Sequence, residues 1–325
     1  MTTKIGITGT GSLIGQAIIK CIKSSKYASV SQLIGFDYFS GTIGSYWCSQ
    51  NFTLPDIYIN PSLEKEWLTT IIDLCIKNKL EYLFVGVDFE LPLFSKYKSH
   101  IEEVTNVKIF VSDESVINVG NDKYKTYKFL EDNNLNYPLT SSYADFSESV
   151  FDYPVILKPA VGARSRGVYK INNTEELDKF ALKIKLPIVQ ELIGDDESEF
   201  TCGVLMLEGQ FISSIALRRT LKEGNTSKAF YKTNFPDIIY SYIKDICLAL
   251  KPYGSCNLQL RIDKNGVPKL FEINPRHSGT TFIRSQFGYN EIEMILDYFI
   301  EGKVKTPKLR EGVVIRYYDE MFYSK

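Results

Sequence analysis

Residues 255–276, SCNLQLRIDKNGVPKLFEINPR, form the stretch that decides the fold. Two runs of alternating polar and apolar residues flank Asn265-Gly266, a dipeptide favoured in tight hairpin turns because both central positions need positive φ. A two-residue turn there pairs Lys264 with Val267 and, counted outward, Gln259 with Glu272. Because side chains alternate between the faces of a strand, the hairpin has one polar and one apolar face. The polar face carries Asn257, Gln259, Glu272 and Asn274, and the apolar face Leu258, Leu260, Phe271 and Ile273.

The polar face predicts a site for a hard cation. One carboxylate beside neutral amide oxygens suits Mg²⁺, which usually keeps several waters and shares a substrate phosphate. Arg276 follows on a proline-stiffened exit, where its guanidinium could hold a phosphate oxygen in a two-pronged contact. The alternative is a solvated outer face of an ordinary hairpin, but such a face seldom needs neutral amides opposite a lone glutamate.

Gln259 followed by Phe271-Glu272-Ile273-Asn274-Pro275-Arg276 resembles the metal-binding hairpin of the ATP-grasp superfamily, in the variant of carbamoyl-phosphate synthase large-subunit-like proteins. The resemblance implies a mixed α/β and α+β fold class. We expect a Rossmann-like N-terminal domain at residues 1–115, followed by an ATP-grasp fold. That fold would consist of a small lid subdomain at 116–186 and a larger antiparallel-sheet subdomain at 187–325, which includes the metal hairpin and a C-terminal strand.

Composition narrows the class of protein. The chain has 325 residues with 38 basic and 39 acidic side chains, a balance that gives no reason to expect a nucleic-acid or anionic-membrane partner. No apolar run reaches the roughly 20 residues of a membrane helix, and the N-terminus lacks the apolar segment of a signal peptide. The six cysteines are dispersed, as in a reduced protein. We therefore expect a cytoplasmic enzyme or binding protein, and a homodimer is left open.

The N-terminal glycine turn has two interpretations. Strand, glycine turn and helix follow one another over residues 4–22, the opening of a doubly wound sheet. Gly9, Gly11, Gly15 and Asp37 could form a dinucleotide site, with the aspartate on the ribose. The resemblance instead implies a domain that helps form the acceptor side of the cleft and binds no dinucleotide, which we favour. Candidate acceptor contacts at the end of a later strand are Asp88 and Glu90.

Two lysines and a glycine-rich flap are expected to hold the nucleotide phosphates. Lys158 closes a short apolar strand, and the turn after it lies between two strands, unlike a Walker loop. Backbone N–H groups freed by glycine can wrap phosphate oxygens, and Arg164 and Arg166 add charge. Lys123, at the start of a helix, matches the first phosphate-contacting basic residue of the family. The flap residues expected at the nucleotide are Gly162, Ala163, Ser165, Arg166 and Gly167.

The family pattern supplies the remaining site residues. The backbone of Glu191, Leu192 and Ile193 would bond the adenine edge, and Glu199 would take the ribose hydroxyls, although the 195–198 insertion is longer than expected. Of the paired arginines Arg218 and Arg219, which could also simply protect an edge strand, one is expected to be functional, and we choose Arg219. Arg276 and Arg219 are thus the catalytic candidates. Gln259, Glu272 and Asn274 are the candidate ligands for one or two Mg²⁺ ions, with Mn²⁺ as a substitute.

The sequence therefore predicts an ATP-dependent carboxylate–amine ligase. Phosphorylation of a carboxylate would give an acyl phosphate, which an amine or another nucleophile attacks, releasing ADP and phosphate. His277 lies near the metal strands, but this chemistry does not need a histidine base. An NAD(P)-dependent reductase or epimerase using the glycine turn and a non-catalytic nucleotide-binding protein are the alternatives. The sequence does not identify the carboxylate or the amine.

Overall fold

The computed structural model describes residues 2–162 and 166–323, and these residues contain three β-sheets. The first sheet is parallel, and the other two are antiparallel. No helix among the described residues has the length and apolar character needed to cross a membrane.

The N-terminal unit is a five-stranded parallel sheet with helices on its faces. Its elements are β1 (Thr3–Thr8), α1 (Leu13–Lys23), β2 (Ser31–Asp37), β3 (Gln50–Thr53), α2 (Glu64–Asn78), β4 (Tyr82–Phe84), α3 (Leu91–Thr105) and β5 (Lys108–Phe110). Short 3₁₀ segments lie at Ile43–Trp47, Pro61–Leu63 and Asp88–Glu90. The strand order is β3-β2-β1-β4-β5, so the winding direction reverses beside β1. In such sheets ligands bind at the carboxyl ends of the strands at this point.

The small unit carries a four-stranded antiparallel sheet. In chain order its elements are α4 (Glu114–Asn121), α5 (Lys123–Asp132), β6 (Thr140–Ser142), β7 (Val155–Pro159), β8 (Tyr169–Ile171), α6 (Thr174–Ala181) and β9 (Pro187–Glu191). The strand order is β6-β9-β7-β8. Because β9 pairs with both β6 and β7, this sheet extends past residue 186, where the sequence predicts the boundary. Val116 and Leu130, on α4 and α5, pack instead into the core of the third sheet.

The large unit is a six-stranded antiparallel sheet. Its elements are β10 (Glu199–Leu207), β11 (Gln210–Lys222), β12 (Asn225–Tyr231), α7 (Asp237–Leu250), β13 (Gly254–Ile262), β14 (Pro268–Asn274), α8 (Thr281–Gln286), α9 (Glu291–Glu301) and β15 (Gly312–Ile315), with a 3₁₀ segment at Asp196–Ser198. The strand order is β14-β13-β10-β11-β12-β15. All nine residues of β10 are buried, as expected for a central strand.

The hairpin of β13 and β14 has the predicted register at its open end but a different turn. The loop is one residue longer than expected, because Asp263 and Val267 close it by an N–H to C=O bond of 2.9 Å, and Gly266 has φ of +80°. A β-bulge beyond Gln259 then takes up one extra residue on β14, so Gln259 still pairs with Glu272. The prediction that Phe271 lies on the apolar face is wrong. Leu270 is the residue buried in the core, and the side chain of Phe271 lines the cleft.

Candidate active site

A cavity of about 210 Å³ lies between the small antiparallel sheet and the hairpin of β13 and β14. We call it the first cavity. It brings together eleven of the residues predicted from the sequence. These are Lys123, Lys158, Gly162, Arg166, Glu191, Leu192, Ile193, Glu199, Arg219, Gln259 and Glu272. Gly167 ends the flap with φ of +71°, and the predicted positions Ala163 and Ser165 lie outside the described residues.

Two lysines form the cationic wall of the first cavity. Lys158 is 4% exposed and donates to Gln190 Oε1 over 2.7 Å, while Gln190 in turn donates to Thr140 Oγ1. Burial lowers the pKa of Lys158 to about 7, helped by the charge of Lys123 and opposed by Glu272. Lys123 donates to the Gly162 carbonyl over 2.8 Å, so the start of α5 is tied to the flap. A polyanion is the ligand that this pair would favour.

The hairpin supplies the opposite wall. Gln259 and Glu272 are direct neighbours across the ladder and Asn274 follows on the same face, as the register predicts. Asn257 pairs with Asn274, but its Oδ1 is taken up by Thr201, Arg284 and nearby hydroxyls, so it does not join the other three oxygens. The polar face available to a ligand therefore consists of one carboxylate and two amide oxygens.

Two arginines enclose Glu199, the predicted ribose contact. Arg219 donates to its Oε1 over 2.7 and 2.9 Å, and Arg261 donates to its Oε2 over 2.9 and 3.1 Å. Both carboxylate oxygens therefore already hold guanidinium groups at the wall of the cavity. Arg219 also donates to Gln259 Oε1 over 2.7 Å, which links this charged group to the hairpin face. Arg218 lies apart and pairs with Glu197. The ribose role of Glu199 stays a prediction.

A family model of the ATP-grasp domain matches residues 120–280, which include the flap, the hinge at Glu191 and the whole hairpin. The chain belongs to the ATP-grasp superfamily. This confirms the family and the fold class that the hairpin sequence predicts. A search of curated proteins by sequence finds no match.

Solved structures share this ATP-grasp architecture over nearly the whole chain. An L-amino acid ligase from Bacillus licheniformis superposes with a TM-score of 0.70 at 17% identity, covering 94% of this chain and 77% of that one. The ADP complex of an N5-carboxyaminoimidazole ribonucleotide synthetase gives 0.74 at 10% identity, covering 96% and 80%. The biotin carboxylase domain of a 2-oxoglutarate carboxylase from Hydrogenobacter thermophilus gives 0.71 at 14%, covering 96% and 74%. At these identities the likeness shows a shared fold.

Two residues of the ATP-grasp cleft escaped the sequence analysis. Phe271 lines the first cavity, and the Lys158 ammonium lies 5.7 Å from its ring centroid. Only the bulge turns this side chain to the cleft, and the local sequence pattern does not encode that bulge. Arg261 lies two residues after Gln259 on β13, so the strand period alone could have placed both side chains on the same face. It holds Glu199 and the Ile193 carbonyl, the latter over 3.3 Å.

Arg276, a catalytic candidate, bridges the ATP-grasp hairpin and the N-terminal unit. Its Nε donates to Asp88, and its Nη2 donates to Asn274 Oδ1 over 3.0 Å. Asp88 is about half-exposed and lies at the carboxyl end of the parallel sheet, as predicted. The prediction that Glu90 contacts the acceptor substrate is wrong. Glu90 is fully buried, and its carboxylate accepts hydrogen bonds from the Thr8 and Tyr38 hydroxyls inside the N-terminal unit.

A buried charged network supports the ATP-grasp hairpin from below. Arg284 and Glu291 are both fully buried and share two hydrogen bonds of 2.8 and 3.0 Å, and Arg284 also donates to Asn257 Oδ1 over 2.9 Å. A Cβ on Gly203 would lie 2.5 Å from Arg284 Nε, so only glycine leaves room for this guanidinium. His277 is buried with Nδ1 2.8 Å from Glu291, which gives it a structural role.

The space around the glycine turn of the N-terminal unit is occupied by side chains and backbone of the same unit. Asp37, the proposed ribose ligand of a dinucleotide, accepts from Gly11 N over 2.6 Å and from Thr10 and Thr42 hydroxyls. A Cβ on Gly15 would lie 2.2 Å from Gly9 O, so close helix–strand packing is enough to require glycine there. These contacts disfavour the dinucleotide interpretation.

A second cavity of about 490 Å³ adjoins the first and shares Lys123, Arg219, Gln259 and Glu272 with it. Its other walls come from all parts of the chain. They include Ser12, Leu13 and Ile14 at the start of α1, Asp88, Asn274, Arg276, Ser278–Thr280 and Arg316. The hairpin thus lies between two spaces, one beside the lysines and one beside the N-terminal unit.

Proposed function

We propose that this chain is an ATP-dependent ligase that phosphorylates a carboxylate substrate and passes the acyl group to an amine or another nucleophile. The observation that carries the proposal is the position of Glu272. It lies on the wall shared by both cavities, opposite Lys158 on one side and next to Arg276 on the other. A phosphoryl group held there can face a nucleotide in one cavity and an acceptor in the other.

The first cavity has the features that ATP would need. Lys158 and Lys123 would hold the phosphates as point charges, while Arg166 would approach from the flap. Ile156, Leu192 and Phe271 offer apolar surface for the adenine. The hinge from Glu191 to Ile193 borders the same space, and its backbone is our proposed adenine contact. Closing the flap over the nucleotide would exclude water.

The donor set fits Mg²⁺ delivered with the nucleotide. No group of three or more His, Cys, Asp or Glu side chains that could hold a metal occurs among the described residues. Mg²⁺ needs only one or two carboxylates when phosphates and waters complete its shell. Glu272 would bind it with the amide oxygens of Gln259 and Asn274, which keep a second lone pair beside their arginine bonds. When bound, the ion would neutralise charge that develops on the transferring phosphoryl group.

The proposed ligase reaction has two chemical steps. A carboxylate oxygen attacks the γ-phosphorus of ATP and ADP leaves, giving the acyl phosphate. The amine nitrogen then attacks the acyl carbon, phosphate leaves, and the amine proton passes to phosphate or solvent. Arg276 would hold the phosphoryl oxygens in both steps. To do so, its guanidinium would leave Asp88 and donate its hydrogen bonds to the substrate instead. Arg219 would keep Gln259 and Glu199 in place. Most of the rate gain would come from positioning and electrostatics.

Nucleotide binding and turnover test the proposal separately. Thermal shift with ATP and Mg²⁺ should raise the melting temperature, whereas NAD(P)H should not. ADP release should then appear with members of a panel of carboxylates and amines. A stabilisation by NAD(P)H alone would favour the reductase alternative, and ATP binding without turnover on any pair would favour the non-catalytic one.

Glu272→Ala tests the site itself. We expect this variant to keep the wild-type melting temperature and to lose Mg²⁺-dependent ADP release by at least about 100-fold, the effect of losing electrostatic stabilisation of the transition state. Glu103→Ala, at an exposed position on α3, is the matched control and should be fully active. Full activity in Glu272→Ala would exclude the assignment of the metal face.

A further inference from the structure

Three arginines line the second cavity, and they differ in their partners. Arg219 is held by Glu199, and Arg276 by Asp88. Arg316 is half-buried, and its guanidinium donates to the neutral carbonyl of Gly279. No carboxylate of the described chain lies within ion-pair distance of Arg316. Among residues 2–162 and 166–323 the charge of this third arginine therefore has no counter-ion.

The charge of the second cavity favours an anion. Its lining contains four cationic side chains and two carboxylates. These are Lys123, Arg219, Arg276 and Arg316 against Asp88 and Glu272. A guanidinium withdrawn from water without an anionic partner costs free energy. A ligand carboxylate or phosphate could offset that cost through two parallel N–H bonds, the geometry for which arginine is suited.

The position of Arg316 places this charge at the N-terminal end of α1. Gly279 separates the two, because a Cβ built on it would lie 3.7 Å from Leu13 Cβ and 3.8 Å from Arg316 Nη2. Leu13 and Ile14 begin α1, an eleven-residue helix, and both line the cavity. The partial positive charge of a helix N-terminus adds to that of the guanidinium.

The chain around Arg316 holds it in place. Its backbone N–H donates to Ser227 O over 2.8 Å, which continues the pairing of β15 with β12. Beyond it, Tyr323 packs on Tyr46 of the N-terminal unit with ring centroids 4.5 Å apart. The segment 316–323 thus runs from the large sheet to the N-terminal unit, and Arg316 begins it.

We propose that Arg316 binds an anionic group of the substrate that attacks the acyl phosphate, at the α1 end of the second cavity. The inference rests on the proposed ligase function and narrows it: the nucleophile is an amine that also carries a carboxylate or a phosphate. Arg316 is then a specificity-determining residue that distinguishes such amines from neutral ones.

Matched pairs of amines test this inference. ADP release is measured with ATP, Mg²⁺ and an equimolar mixture of acetate, succinate and N-acetyl-L-alanine as carboxylate donors, none of which carries an amine, against amines with and without an anion. The pairs are β-alanine with propylamine and O-phosphoethanolamine with ethanolamine, which separate the carboxylate from the phosphate. We expect added ADP release with at least one anionic member and none with its neutral partner. Arg316→Met should raise the KM for that amine by about 10- to 100-fold, the usual cost of a lost hydrogen bond to a charged group.

Two controls separate specificity from folding. Arg310→Met removes another arginine that donates to a backbone carbonyl, Gln286 O over 2.8 Å, but it lies outside both cavities and should change nothing. Binding of the ATP analogue AMP-PNP with Mg²⁺, measured by calorimetry, should be equal in wild type and in both variants. Arg316→Lys should have a KM between those of wild type and Arg316→Met, because lysine keeps the positive charge but cannot donate two parallel hydrogen bonds.

Three results would overturn the role of Arg316: equal turnover with neutral and anionic amines, an Arg316→Met KM within threefold of wild type, or a wild type that releases ADP with a neutral amine and with no anionic one. A wild type that binds no AMP-PNP, or that binds it and releases ADP with no amine, would instead overturn the proposed function.

Discussion

Lys158 donates from Nζ to Gln190 Oε1 over 2.7 Å, and no carboxylate of the described chain makes an ion pair with it. Its pKa of about 7, lowered first by burial and then by Lys123, means that the side chain is largely neutral above pH 7 in the free protein. Bound phosphates favour the charged form and raise that pKa. Nucleotide binding at pH 8 should therefore take up about one proton, and affinity should fall by up to about tenfold per pH unit above 7.

Calorimetry in two buffers of different ionisation enthalpy measures that proton uptake. Lys158→Met should abolish it, whereas Lys170→Met, at an exposed position on β8, should leave it unchanged. Equal ADP affinity at pH 6.5 and pH 8.5 without proton uptake would contradict the neutral lysine.

The bulge in β14 predicts opposite effects for two neighbouring residues. Phe271→Ala should weaken ADP binding by about tenfold or more through lost apolar contact, with little change in the free energy of unfolding. Leu270, which is 1% exposed, should behave in reverse. Leu270→Ala should lower the free energy of unfolding by about 2–5 kcal/mol and leave the ADP affinity of the folded protein unchanged. Urea denaturation and calorimetry of both variants check this, and exchanged effects would mean that the strand has no bulge.

This pair of residues also shows how far the sequence could be interpreted. The pairing of Gln259 with Glu272 was predicted from a two-residue turn, and the turn is one residue longer. The bulge between Gln259 and Leu260 cancels that error, so Gln259, Glu272 and Asn274 share a face as predicted, whereas Phe271 does not lie on its predicted face. Strand alternation carries information about faces, but a bulge depends on tertiary packing that the local pattern does not encode.

The ion-pair partners of the charged site residues could not be predicted from the sequence either. Lys158, Lys123 and the hinge could be placed by motif, because each lies next to a strand end or a helix start. The two arginines that hold Glu199 come from β11 and β13, strands that only the sheet order brings to either side of β10. Glu90 looked like its neighbour Asp88 in sequence, yet a 3₁₀ segment turns one inward and the other toward Arg276.

Asp88 is expected to compete with substrate for Arg276. Asp88→Asn removes the carboxylate, so inorganic phosphate should bind better and inhibit ADP release at lower concentration. Because Asp88 is about half-exposed, the free energy of unfolding should change by less than about 1 kcal/mol. Phosphate inhibition curves for wild type and Asp88→Asn give the comparison, with Asp73→Asn on α2 as the control. Weaker phosphate inhibition in Asp88→Asn would show that Asp88 assists binding instead.

The network under the hairpin should govern stability. Burial alone would raise the pKa of Glu291, but Arg284 and His277 outweigh it and hold that pKa well below the usual range. With the folded pKa depressed, the stabilising contribution is present above the unfolded value near 4.3 and is lost as pH falls through the folded value. Glu291→Gln should lower the free energy of unfolding by about 3–5 kcal/mol at pH 7, because Arg284 keeps a buried charge without its partner.

Urea denaturation at pH 7 and pH 3 tests this assignment. The difference between wild type and Glu291→Gln should be full at pH 7 and already smaller at pH 3, because the contribution of Glu291 begins to be lost once the pH falls below the unfolded value. Glu293→Gln, in the same helix but outside the contact with Arg284, should cost far less. A Glu291→Gln variant as stable as wild type would refute the role of the ion pair.

The second cavity takes one wall from Ser12–Ile14 and another from Arg316, near opposite ends of the sequence, whereas the first cavity is built almost wholly from residues 123–272. Detachment of the segment that carries Arg316 would therefore open the second cavity and leave the walls of the first in place. A chain in that state would have a place for ATP but no closed compartment for the reactive intermediate, which water would then destroy. The packing of residues 316–323 against the N-terminal unit would thus be the step that makes ATP consumption productive.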